Sequence, residues 1–297
     1  MEQNADPLGA AVARINARGG RPPIGLREEQ EPGCAPWASV SDFIADDVAM
    51  REFLAYEAGF NPQTDQKAAA AFMFMDYSLG LIGMMVPLFL DAGLVPDIDP
   101  GRSQLQLRHG VHYHDGKAQE QREVWFRPGA RGFATTDRAL ADHPDVDYCP
   151  DLTALCDPFR REVEGHLGPL IERLSGVTRL PRRALWRLAA DTIAAAFLEE
   201  GRALGREAEA RGLALQIIRE GASPLSNPQV GFFTLSVPDD TGGEFAYTFR
   251  ARGGCCRYYT VEGGGLCKTC VLKPRAARDM DLRQAMRHHL GLPPLPA

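Results

Sequence analysis

Hydrophobic and polar positions change period several times along this chain, and the changes mark out its elements. Leu105, Leu107, Val111 and Tyr113 alternate with Gln104, Gln106, Arg108, His112 and His114. Apart from His109, residues 105–113 therefore predict a half-buried strand. Asp115-Gly116 follows as a hairpin turn signal. A second strand is expected over 120–127, with Val124 and Phe126 on one face. Upstream the spacing is helical. Ser41-Asp42 stands where a helix could start, and Phe43, Val48, Phe53 and Leu54 continue it to Gly59. Residues 68–90 are almost wholly apolar and stop near Pro96. Residues 128–150 read as loop. Helical spacing returns from Phe159 to Leu174, and Pro181 suits the first position of another helix. That helix runs through Trp186, Ala190, Ile193 and Phe197. Leu185, Leu188 and Ala196 widen its apolar stripe, so it should be buried on more than one side. Strand-like runs at 230–237 and 245–249 flank a turn at 239–243, and an amphipathic stretch, 280–290, precedes a proline-rich tail.

This order of elements predicts an α+β fold: a helical core packed on a modest, largely antiparallel sheet, with a C-terminal cysteine segment at its edge. Residues 1–36, with Gly19-Gly20, Pro22-Pro23 and a charged run from Arg27 to Glu31, read as a flexible leader. The expected division is this leader, a main domain over 37–250 and a C-terminal segment over 251–297. No internal repeat is visible.

Composition narrows the function classes. The chain is 44% hydrophobic and 24% charged, ordinary for a globular protein. Its formal net charge of -6 offers no basic footprint for nucleic acid. The start lacks the apolar core of a secretory signal, which points to the cytoplasm. The apolar stretch 68–90 has nearly the length of a membrane span, but Asp76 and Pro87 interrupt it and no basic cluster flanks it. A buried core helix is expected. No integral span is expected, although peripheral membrane contact is compatible with the pattern.

Four of the seven cysteines, Cys255, Cys256, Cys267 and Cys270, fall in a C-C-x10-C-x2-C pattern. A secreted disulfide framework would spread its cysteines, so the clustering points to a metal site in a reducing compartment. Two residues between cysteines let both sulfurs face one metal ion. Neighbouring side chains of an extended strand point to opposite faces, so Cys255 and Cys256 can share a site only if the backbone turns there. Gly253-Gly254 and the run Gly263-Gly264-Gly265 supply that freedom. Zinc accepts the same four thiolates, and a vicinal disulfide or free thiols are further readings. The vicinal pair departs from the usual zinc pattern of two C-x-x-C units and favours iron–sulfur.

The run Cys255-Cys256-Arg-Tyr-Tyr, followed by Gly-Gly-Gly-Leu-Cys267-Lys-Thr-Cys270, resembles the signature of the FhuF-like ferric siderophore reductases. That family has the same cysteine spacing, an aromatic soon after the vicinal pair and a Gly-Gly-x-Leu run before the third cysteine. An apolar helical segment ending near Val95-Pro96 and a helix carrying Trp186 extend the likeness more weakly. The long leader departs from it, as does Gly253-Gly254 where relatives often carry polar residues. The resemblance implies that Cys255, Cys256, Cys267 and Cys270 bind a 2Fe–2S cluster. It implies one-electron reduction of a ferric siderophore, hydroxamate type first, with release of Fe(II) in the cytoplasm and a reduced electron donor of unknown identity. A zinc-binding structural or regulatory module, and an electron carrier without reductase activity, are the alternatives. A siderophore-synthetase-like domain is a more distant one, because those chains are longer and lack the cysteine signature.

Other chemistry-bearing residues have bland expectations. Arg252, Arg257 and Lys268 beside the cysteines are read as solvated, with charge balance or steering of an anionic partner as the functional option. Tyr258 and Tyr259 pack or shield the site. His112 and His114 share a strand face and His288-His289 lie on the terminal helix; all four are expected to face solvent. Cys34, Cys149 and Cys156 read as ordinary thiols. Asp76, if buried, needs a partner.

Overall fold

A computed structural model of the chain describes residues 6–18, 35–60, 63–114, 117–129, 132–239 and 242–293. The fold is α+β and is organised around one apolar helix. Helix α1 spans Pro7–Arg18, strand β1 Ala38–Ser39, α2 Val40–Ala45, α3 Asp47–Gly59 and α4 Gln66–Ala92. Then come β2 (Leu94–Pro96), β3 (Gln104–His114), β4 (Lys117–Arg127), β5 (Phe133–Thr135) and β6 (Val146–Tyr148). Three helices follow, α5 (Leu152–Thr178), α6 (Arg182–Ala203) and α7 (Glu207–Ile218). The hairpin β7 (Gly231–Pro238) and β8 (Glu244–Ala251) and the terminal helix α8 (Arg275–His289) complete the chain.

Helix α4 is the centre. Asp65 caps it by accepting from the Ala68 N–H at 2.6 Å. Gly93, at φ 58°, ends it in the left-handed conformation that glycine tolerates. The helix packs against α3, α5, α6 and β4. Among the described residues it is the one helix long and apolar enough to cross a membrane, and 72% of its most apolar window is buried inside the fold. Tyr77, Phe74, Leu81, Met85 and Phe89 have no exposure at all. Gly80 sits directly on the sheet: a Cβ there would lie 2.0 Å from the Val124 carbonyl oxygen. The residue is glycine because α4 and β4 approach that closely.

The β content is split among three small sheets. β1-β3-β4 is antiparallel, with Leu105 opposite Phe126 and Leu107 opposite Val124; the predicted apolar face is buried at this end, whereas Val111 farther along is 59% exposed and Gln106, read as polar and outward, is fully buried. His114 pairs with Lys117, which leaves two residues for the turn; Asp115 and Gly116 themselves lie outside the described residues. β2 pairs antiparallel with β5, and β5 parallel with β6; β5 and β6 lie inside residues 128–150, the stretch read as loop. These strands are three residues long, too short for an alternation to show in the sequence. β7 and β8 pair antiparallel. Leu282 and Met286 of α8 pack on Leu235 and Val237 of that hairpin, forming a small core of their own.

Three more expectations about the elements are corrected. The leader is not featureless: α1 buries Ala11, Val12 and Ile15 against the main core, and Arg18 pairs with Asp91 and Glu200. Its apolar residues recur at helical spacing, a short signal masked by the glycines and prolines after it. The helix expected from Ser41 to Gly59 is two helices. Asp46 breaks it at φ -75°, ψ 112° and caps α3, accepting from the Val48 and Ala49 N–H groups. Pro181 is the cap residue before α6 rather than its first residue.

Candidate metal centre

The cysteine segment leaves β8 at Ala251 and crosses the middle of α6. Gly254 lies on the helix backbone: an added Cβ would meet the Arg187 carbonyl carbon at 2.9 Å and the Leu188 nitrogen at 3.0 Å. At Gly253 it would meet the Asn227 side chain at 2.3 Å. Both residues are therefore glycine for close approach, since neither has a positive φ. This corrects the expectation that they bend the chain at the vicinal pair. The bend comes one residue after it. Arg257 stands at φ 63°, a left-handed conformation unusual for a side-chain-bearing residue. A single helical turn, Tyr258–Thr260, follows. The Arg257 guanidinium donates to Asp65, the cap of α4, at 2.9 Å and so ties the bend to the core helix. Gly263, at φ 72°, then turns the chain back, and Gly264 sits where a Cβ would meet the Tyr258 carbonyl oxygen at 1.9 Å. The Cys270 N–H donates to the Cys267 carbonyl at 3.0 Å, which closes the C-x-x-C turn.

Beneath the segment lies a buried carboxylate that the sequence reading did not single out. Asp191 of α6 is 2% exposed. Its Oδ1 accepts from the Gly253 N–H at 2.8 Å, and its Oδ2 from the Gly254 N–H at 3.0 Å and Arg252 Nε at 3.2 Å. Arg250 donates to its main-chain carbonyl. One signal was available: an acid directly after Ala190 and shortly before Ile193, inside the apolar stripe of the helix, demands a partner.

Arg252 was expected in solvent, and the structure buries it. Its side chain is 9% exposed, and Nη1 donates to Cys267 Sγ at 3.4 Å. Burial opposes its charge, but the Asp191 carboxylate and the sulfurs of Cys256 and Cys267 outweigh burial and hold the guanidinium firmly protonated. Arg257 is likewise paired, and Lys268 is exposed as expected. Tyr258 and Tyr259 are largely exposed, and Tyr258 leans on Phe72 of α4, ring centroids 6.5 Å apart.

The four cysteines form one electrostatically connected group. Cys256 and Cys267 lie within hydrogen-bonding reach of each other, which lowers Cys256 and raises Cys267 as one coupled pair, with Arg252 favouring the charged form of both. Cys255 is raised by burial, countered by the Arg257 N–H donating to its sulfur at 3.4 Å. Cys255, Cys256 and Cys267 are half-buried and Cys270 is buried. Among the described residues, no three His, Cys, Asp or Glu side chains stand close enough to hold one metal ion. A 2Fe–2S centre divides four thiolates between two irons. Soft donors, an N–H group aimed at sulfur and a buried cation beside Cys267 suit its negative charge.

The other cysteines stay apart. Cys156 is buried in α5, pushed up to about 12 by burial, and Cys149 is a buried thiol; Cys34 lies outside the described residues. The side chains of His112 and His114 are likewise outside them. His288 and His289 close α8. Asp76 accepts from Gln121 at 3.3 Å and shares a partly buried cluster with Tyr56, Glu57 and Arg122.

A family model described as a ferric iron reductase FhuF-like transporter matches residues 74–228, from within α4 to the loop before β7. The chain belongs to the FhuF-like family. A second model, the FhuF 2Fe–2S C-terminal domain, matches residues 252–272 and spans all four cysteines. Membership makes the chain a ferric iron reductase by family, with a 2Fe–2S cluster as its cofactor. The FhuF match covers the helix that carries Asp191, and the 2Fe–2S match begins at its partner Arg252. No curated protein and no solved structure matches the chain.

Proposed function

We propose that Cys255, Cys256, Cys267 and Cys270 hold the 2Fe–2S cluster and that the protein uses it in the cytoplasm to reduce siderophore-bound Fe(III), hydroxamate complexes first. The observation that supports this best is the coincidence of the 2Fe–2S match with four cysteines on a bent, half-buried segment that an N–H group and Arg252 brace.

Bound there, an all-thiolate centre supplies single electrons at low potential, about -400 mV for plant-ferredoxin-type sites. Ferric ion is hard and is held tightly by hydroxamate oxygens. Gain of one electron gives Fe(II), whose lower charge density weakens those bonds, and the freed ligand takes up protons from solvent. The chain's own residues keep the donor poised. Asp65 and Arg257 pin the bend after Cys256, and α6 backs the segment through Gly253 and Gly254. The partial exposure of Cys255, Cys256 and Cys267 leaves one side open to a ferric complex and to a reduced donor.

The test is anaerobic. Chemically reduced protein is mixed with a ferric hydroxamate and a ferrous chelator, and cluster bands and chelated Fe(II) are followed together. Stoichiometric Fe(II) as the cluster reoxidises is expected. Reoxidation by other acceptors with no Fe(II) from any siderophore would make the protein an electron carrier instead.

A further inference from the structure

We propose that Asp191 is the positioning residue of the cluster segment: it anchors the two glycines ahead of Cys255 and holds Arg252 against the sulfur of Cys267, so that the pair tunes the cluster from the side opposite solvent. This role rests on the reading above, in which Cys267 is a cluster ligand.

The geometry is specific. Asp191 uses both oxygens and three donors, and all three donors belong to consecutive residues 252–254. A buried carboxylate is costly without partners, and here every partner its oxygens take lies next to the candidate ligands. Glycine at 253 and 254 is required to bring those N–H groups down to the helix, because Asn227 and the α6 backbone occupy the space of a side chain. Arg252 then bridges from Asp191 Oδ2 to Cys267 Sγ, 3.2 Å on one side and 3.4 Å on the other. Potentials of iron–sulfur sites respond to net charge and to hydrogen bonds on sulfur. A cation fixed at Cys267 favours the reduced, more negative state. Asp191 fixes the cation in place.

A double-mutant cycle on the full-length protein, read by redox titration of the visible bands and by EPR of the reduced state, tests this. Arg252→Met is expected to assemble the cluster with about a tenfold less favourable reduction equilibrium, a fall of about 59 mV for one electron. In an Asp191→Ala background the same substitution is expected to have less than half that effect, because the arginine is no longer held at sulfur. If Asp191→Ala folds poorly by circular dichroism, Asp191→Asn serves as the background. An unchanged potential in Arg252→Met, or additive shifts, overturns the proposal and leaves Asp191 as a structural ion pair. A Cys267→Ser protein that retains its cluster with wild-type EPR would overturn the ligand assignment, a distinct failure.

Discussion

Tyr77 and His166 join the two longest helices, α4 and α5, through a buried hydrogen bond, Oη to Nε2 at 2.8 Å. His166 Nδ1 contacts the Ile98 carbonyl at 2.5 Å. A carbonyl only accepts, so Nδ1 carries the proton and Nε2 accepts from the Tyr77 hydroxyl. Both nitrogens of the neutral ring are satisfied, and a second proton would put a charge in a fully buried site. Burial accordingly lowers His166 to about 4, from 6.5 in a solvated chain. The unfolded state binds the proton more tightly, so this stabilisation is complete above about pH 6.5 and is lost as pH falls toward 4. Urea unfolding from about pH 7.5 to about pH 4.5 should show a loss on the order of 3 kcal/mol that His166→Gln largely removes. An identical pH slope in that variant would refute it.

Glu57 runs the other way. Burial, then the nearby Asp76, pushes it up to about 8, with Arg122 opposing. The folded state holds this proton more tightly than the unfolded chain, so the contribution is full below about 4.5 and is lost as pH rises through 8. Glu57→Gln should match wild type at about pH 5 and exceed it at about pH 9 by an amount on the order of 4 kcal/mol, measured by urea midpoint. Equal stability of the two proteins in the alkaline sample would count against it.

Two glycines of the cysteine segment should respond oppositely to alanine. At Gly254 the new Cβ meets α6 backbone at 2.9 Å, which cannot yield as a flexible side chain would. Gly254→Ala should lift the segment off Asp191 and lower bound iron and visible absorbance severalfold. At Gly265 nothing lies within 4 Å, and alanine should be silent. Iron and sulfide analysis of the two purified proteins decides it, and equal loading would contradict the close approach.

Single serine substitutions sort the cysteines. Each of Cys255, Cys256, Cys267 and Cys270 should lose or alter the visible bands and EPR signal. Cys149→Ser and Cys156→Ser should leave both intact, since those sulfurs are buried elsewhere. A wild-type spectrum from any of the first four would remove that residue from the ligand set.

Helix α1 belongs to the folded core. Ile15 has no exposure. Ile15→Ala should cost about 2–4 kcal/mol by chemical denaturation, in the range of buried aliphatic truncations. A change below about 0.5 kcal/mol would return the N-terminus to a loose leader.

Local pattern determined a good part of this protein. Periodicity located α5, α6 and the β3–β4 hairpin, because long elements repeat their signal many times, and an unbroken apolar run located α4. Cysteine spacing singled out the candidate centre, because four thiols within sixteen residues read as one ligand set. Strands of three residues carried too few repeats to be seen, and α1 was hidden by the glycines and prolines beside it. Only the tertiary structure brought Asp191 under Arg252, across sixty-one residues of chain. Only it revealed that Gly253 and Gly254 are small because a helix and the Asn227 side chain pass beneath them. A sequence states which side chains are present; which of them share a low-dielectric space, where a charge must be paired, is decided when distant segments pack.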